Sequence, residues 1–102
     1  MPYGLKDEVL EKINTTFAKV EPVEKVVLYG SRAKGTHHNG SDIDICLHGR
    51  NLTLQNAVYP LMELLDKLYL PYSFDISIFD HIDNPALIEH ITRVGVVLYT
   101  RT

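Results

Sequence analysis

The sequence predicts a mixed α/β (α+β) architecture, a small mixed β-sheet with flanking helices. Three observations predict it. Helical apolar stripes and short β-rich runs follow one another in the order α-β-β-α-β-α-β, which suits helices packed on one small sheet. The apolar period changes along the chain, from helical spacing to strict alternation and back. The 102 residues, 45% of them hydrophobic and 23% charged, suit one core, so residues 1–102 read as a single domain.

The first helix is expected over Leu5 to Val20, where Leu5, Val9, Ile13, Phe17 and Val20 share one face and Leu10 broadens it. Glu21-Pro22 closes it, because the residue before a proline is pushed out of the helical region. Val26 to Tyr29 is a buried strand ending at Gly30. Ile43, Ile45 and Leu47 alternate with Asp42, Asp44 and Cys46, a second strand with two unlike faces. His48 to Asn51 is a turn. Leu52 to Leu70 is leucine-rich and helical, with Pro60 inside it. Either the main helix begins there, with proline at its first position, or a longer helix is kinked; the first is favoured. Phe74, Ile76 and Ile78 alternate with Asp75, Ser77 and Phe79 as a third strand. Asn84-Pro85 opens a helix that runs to Arg93, Gly95 ends it, and Val96 to Tyr99 is a last strand.

Ten Lys and Arg face thirteen Asp and Glu, a net charge of −3, with no basic stripe. That disfavours nucleic acid as a direct ligand. The apolar runs are too short for a membrane span, and the opening residues do not resemble a secretion signal. Cys46 stands alone, so neither a disulfide framework nor a cysteine zinc site is expected. Cytoplasm is the expected compartment.

Two features need a chemical explanation. Gly30-Ser31 directly follows a buried strand, and Asp42 and Asp44 stand two apart on the next one. Aspartate is depleted in strands. At i and i+2 both carboxylates point to one face, with Cβ atoms roughly 6 to 7 Å apart. Unscreened they repel, and a divalent cation relieves the repulsion; Mg²⁺ favours a few carboxylates together with substrate phosphates. A glycine at a strand end lets the backbone approach a phosphate, and free N–H groups and the Ser31 hydroxyl supply donors. This is not a P-loop, since Thr36-His37 follows Gly35 where Lys-Ser/Thr is required. Nor is it a dinucleotide fingerprint, since Arg32 occupies the place of the second glycine.

Gly30-Ser31, ten intervening residues and Asp42-Ile43-Asp44 resemble the Gly-Ser…Asp-x-Asp signature of the DNA-polymerase-β-like nucleotidyltransferases. Gly30-Ser31-Arg32-Ala33-Lys34-Gly35 and Ser41-Asp42-Ile43-Asp44-Ile45 resemble its small prokaryotic members, the minimal nucleotidyltransferases. The similarity runs from the first helix to the last strand. The resemblance implies the polymerase-β-like nucleotidyltransferase fold and a third carboxylate on a later strand, for which Asp75 in Phe74-Asp75-Ile76 fits. It implies that Asp42 and Asp44 hold two Mg²⁺ ions, and that Asp75 ligates the ion beside the acceptor and helps remove its proton. It implies that Gly30 and Ser31 hold the β- and γ-phosphates of the nucleoside triphosphate, ATP. The helical substrate domain of larger relatives is missing. Small relatives are typically encoded beside a helical HEPN-type protein, and as antitoxins adenylylate a tyrosine on it; the resemblance implies that role here. A small-molecule acceptor in a partner-supplied pocket, or a non-catalytic nucleotide-binding or docking subunit, are the alternatives. Oligomeric state stays open.

Arg32 is carried as a candidate nucleotide ligand, although Arg32 and Lys34 read equally as solvated residues of a first helical turn. His37-His38 reads as a solvated loop. His81 and His90 have no partner at ligand spacing, and Asp80 and Asp83 suit capping of the next helix. Cys46 reads as a small space-filling residue. Tyr29, Tyr59, Tyr69, Tyr72 and Tyr99 are expected at the edge of the core.

Overall fold

A computed structural model describes residues 1–102. The chain opens with a 3₁₀ turn, Pro2–Gly4, and continues as α1 (Asp7–Ala18), β1 (Lys25–Tyr29), a short α2 (Gly30–Lys34) and β2 (Ile43–His48). Next come a single π-helical turn (Leu54–Val58), α3 (Tyr59–Asp66), β3 (Phe74–Ile78), a 3₁₀ turn (Phe79–His81), α4 (Pro85–Val94) and β4 (Val96–Thr100). The strands lie in the order β3-β2-β1-β4. β1 runs antiparallel to β2 and β4, and β2 runs parallel to β3, so the sheet is mixed as expected.

α1 is shorter than its apolar stripe. Asp7 and Glu8 occupy its first turn, where carboxylates suit the positive end of the helix. Leu5 and Val20 lie outside the helix yet are buried with Ile13 and Phe17, so the stripe outruns the hydrogen bonding. α3 begins at Tyr59, so Pro60 is its second residue and not its first, and the residues before it are also helical. Thr53 and Asn56 cap that π turn reciprocally, Asn56 N–H donating to Thr53 Oγ1 (3.0 Å) and Thr53 N–H to Asn56 Oδ1 (2.8 Å). Asn84 itself caps α4, its Oδ1 accepting from the N–H groups of Ala86 (2.9 Å) and Leu87 (3.4 Å). Asp80 and Asp83 therefore do not serve as that cap.

The two faces of the sheet are unequal. Val26, Leu28, Ile43, Ile45, Leu47 and Ile78 join residues of α1 and α3 in a cluster of 16 buried residues. On the other face Val27, Tyr29 and Cys46 meet Ile91 of α4 in a cluster of four. Cys46 fills space there as read from the sequence, and burial pushes its thiol pKa up to about 12. The tyrosines divide. Tyr29 is buried and Tyr99 meets Phe17 with ring centroids 6.1 Å apart, whereas Tyr59 is 53% and Tyr69 89% exposed, which corrects the expectation for those two. No helix is long and apolar enough to cross a membrane.

Candidate functional site

Strand register brings the acidic residues together. Tyr29, the last residue of β1, stands opposite Asp44 on β2, and Asp44 stands opposite Asp75 on β3. Paired residues on neighbouring strands project from the same face, so Tyr29, Asp44 and Asp75 form a row across the sheet. Cys46 and Ser77 form the next pair on that face, and the Tyr29 hydroxyl lies 3.2 Å from Ser77 Oγ. β2 begins only at Ile43, so Asp42 occupies the end of the incoming loop and not the strand proper. Asp42 and Asp75 are exposed, while Asp44 is half-buried.

Burial pushes the Asp44 carboxyl above its usual range, and the Asp75 and Asp42 carboxylates push it further, against the opposing pull of His90 and Arg32. Burial likewise raises the Tyr29 phenol; the Ser77 hydrogen bond works against this, and Asp75 and Asp44 add to it. The face is a concentration of negative charge next to a backbone turn.

That turn is Gly30-Ser31. Gly30 has φ +74°, and a Cβ placed on it would run into the Asp44 carboxylate. Only glycine fits, on both counts. The Gly30 N–H donates to His90 Nε2 at 3.2 Å, and the imidazole meets the Tyr29 ring edge-on, with centroids 6.2 Å apart. Ser31 is half-exposed within α2, which Gly35 ends in the left-handed conformation at φ +81°.

Arg32 departs from its assigned place. Its Nε and Nη2 donate to the Ser41 carbonyl (3.1 and 2.8 Å) and its Nη1 to the Tyr3 carbonyl (2.9 Å). The guanidinium also lies over the Tyr72 ring, 4.9 Å from its centroid, and the residue is 2% exposed. A side chain so enclosed ties the loop before Asp42 to the N-terminal turn and is not a solvated residue of the helical turn. Lys34 and His38 are exposed, and His37 is half-buried against Gly4.

No three acidic, histidine or cysteine side chains converge into a ready-made metal cage. The donor set nevertheless fits a divalent cation that arrives with phosphate. Three carboxylates gather at one end of the sheet, two of them raising the pKa of the third, and the Asp44 carboxylate packs directly against the Gly30 backbone. None of the four surface concavities is lined by Asp42, Asp44 or Asp75; the largest, about 480 Å³ between Lys25, His48, Phe79, Ile91 and Val97, lies around the opposite end of β1. The carboxylate row is an open shelf.

Sequence reasoning missed His90, which joins the turn from 60 residues away, and the Tyr29–Ser77 contact under the carboxylates. No local signal marks either one, because both depend on how α4 and β3 dock.

The model of the "Polymerase beta, Nucleotidyltransferase" family matches residues 11–102. Comparison with curated proteins gives no match. Among solved structures the chain is similar to a chain of a toxin–antitoxin complex with AMP-PNP, with TM-score 0.73 and 21% identity over 91% of this chain and 74% of the other. It is similar to a chain of the MntA–HepT toxin–antitoxin structure (TM-score 0.67, 17% identity, 94% and 74% covered). It is also similar to a chain of the tri-AMPylated Shewanella oneidensis HEPN toxin in complex with MNT antitoxin (TM-score 0.68, 17% identity, 95% and 74% covered). With a family match over nearly its whole length, this fold and this row of aspartates, the chain belongs to the polymerase-β nucleotidyltransferase family.

Proposed function

We propose that this nucleotidyltransferase moves AMP from ATP onto the hydroxyl of a tyrosine on a helical HEPN-type toxin partner, acting as that toxin's antitoxin. The observation that carries the reading is the row of Asp44 and Asp75, with Asp42 beside it, against the Gly30-Ser31 turn. The similar structures supply the partner class: one holds AMP-PNP, and another contains an AMPylated HEPN toxin. The open shelf supports an acceptor that is itself a protein, because nothing in the chain encloses a small molecule beside the carboxylates.

In the reaction the acceptor oxygen forms a bond to the α-phosphorus as the anhydride bond to the β-phosphate breaks, and pyrophosphate leaves. Asp42 and Asp44 would hold two Mg²⁺ ions, which would supply charge neutralisation for the triphosphate during in-line displacement. Gly30 and Ser31 cradle the β- and γ-phosphates, Ser31 through its hydroxyl. Asp75, the most peripheral strand residue of the row, completes the ligand set on the acceptor side and draws off the acceptor proton. We place the reaction in the cytoplasm, the compartment that supplies ATP.

The test is transfer of label from α-³²P-ATP to a purified HEPN-type helical protein. Asp42→Asn and Asp44→Asn should each abolish labelling and weaken Mg–ATP binding. Asp75→Asn should slow transfer by about 10²- to 10⁴-fold, the range for general-base assistance, with ATP affinity kept within roughly tenfold. Full labelling by Asp75→Asn refutes the acceptor-side role, and labelling by all three variants refutes the site.

A further inference from the structure

His90 belongs to none of the roles above, yet it contacts the backbone on which they depend. Gly30 must adopt φ +74° with the Asp44 carboxylate packed where a Cβ would be. Glycine is the residue least able to hold one backbone conformation by itself. Something outside the turn has to select that conformation, and no side chain caps the start of α2. The Gly30 N–H is instead received by His90 Nε2 at 3.2 Å. A backbone N–H only donates, so His90 Nε2 is the acceptor in this contact.

The ring is held on a firm element. α4 is capped by Asn84 at its start and stopped at Gly95, and its buried Ile91, next to His90 in sequence, packs with Val27 and Cys46. The imidazole also sits edge-on to Tyr29, the residue before Gly30, with an interplanar angle of 81°. Through His90, α4 thus contacts both the Tyr29 ring and the Gly30 backbone.

We propose that His90 is a positioning residue for the nucleotide: by accepting the Gly30 N–H it fixes the turn that aims Ser31 at the triphosphate and leaves room for Asp44. The proposal rests on the functional reading of Gly30, Ser31 and Asp44 given above. His90 touches neither ATP nor the reacting atoms; it acts through the turn.

Three variants decide it. His90→Leu removes the acceptor, His90→Phe keeps the aromatic edge on Tyr29 without the acceptor, and His90→Gln keeps an acceptor at the end of the side chain. His90→Leu and His90→Phe should each raise the Kd for Mg–ATP about tenfold, the scale of one lost hydrogen bond plus lost orientation. They should raise KM for ATP similarly while kcat changes less than about threefold. His90→Gln should recover most of the affinity. Amide hydrogen exchange at Gly30, read by NMR without nucleotide, should speed up in the first two variants and stay slow in the third. Wild-type affinity in both acceptor-free variants overturns the proposal, as does a glutamine variant as weak as leucine at equal melting temperature. Should His90→Leu unfold, His90→Phe and the Gly30 amide carry the decision. Absence of Mg–ATP binding in the wild type is a different failure: it removes the functional reading and the proposal with it, whatever Gly30 exchange reports.

Discussion

Asp44 carries more of the site than either of its partners. It is the half-buried member of the trio, it faces Asp75 across the parallel pair, and its carboxylate occupies the space that Gly30 leaves empty. Its raised pKa means that the folded protein holds the Asp44 proton more tightly than the unfolded chain does. Ionisation therefore works against folding, and stability is lost as pH rises from the unfolded value of about 3.9 through the higher folded value. Asp44→Asn should accordingly raise the melting temperature of the metal-free protein at pH 7. The gain should be under ~1 kcal/mol, because the carboxyl is partly solvated and its repulsion screened. Thermal melts from pH 7 down to pH 4 check this: the advantage of the variant should shrink as the wild-type carboxyl takes up its proton. Adding Mg–ATP should reverse the order, stabilising the wild type alone.

The element that sets the entrance to the site is the segment between α2 and β2, which ends at Asp42. Its conformation depends on Arg32, whose guanidinium spans the Ser41 and Tyr3 carbonyls and lies over Tyr72. Arginine offers several donors in one plane, and lysine cannot bridge the same two carbonyls. Arg32→Ala should destabilise the fold by about 2 to 3 kcal/mol, the scale of charged hydrogen bonds whose half-buried carbonyls are left unpaired. Arg32→Lys should recover less than half of that, both measured by urea unfolding. The sequence places Arg32 one residue after the Gly-Ser pair, where a phosphate ligand is a natural reading. Its direction is set by a contact with Tyr3, 29 residues away, which local pattern cannot convey.

At the scale of the whole molecule, stability and function occupy opposite faces of one sheet. The α1 and α3 face holds the large cluster, with Phe17 fully buried and in contact with Tyr99 near the far end of β4. The α4 face has four buried residues, Tyr29 among them, and also carries Asp44, Asp75 and His90. Phe17→Ala should remove about 3 to 5 kcal/mol, and Ile91→Ala should remove less, about 2 kcal/mol, because the smaller cluster is less enclosed. For a domain whose total stability is of order 5 to 15 kcal/mol, the first change is expected to populate unfolded chain at 37 °C. Chemical denaturation of the two variants gives the comparison directly.

Local chemistry was enough to read much of this protein from its residues. Alternation at Ile43, Ile45 and Leu47 and at Phe74, Ile76 and Ile78 announced two strands, because a side chain in a strand can only face one way or the other. Asn84-Pro85 and Gly95 bracketed α4 through backbone preferences that act within a turn of the chain. Two aspartates at i and i+2 after a Gly-Ser turn suggested a cation and a phosphate, and with Asp75 they pointed to the family, although only Asp44 and Asp75 proved to lie on strands. Tertiary structure alone decided which charges face one another. The parallel register of β2 and β3 puts Asp75 opposite Asp44, and a shift of one residue would have turned Asp75 to the other face. It decided that Arg32 turns inward to two carbonyls and that His90, on the last helix, receives the Gly30 N–H. A hydrogen bond across 60 residues depends on the docking of whole elements, and docking is governed by burial summed over the entire sheet, which no window of sequence contains.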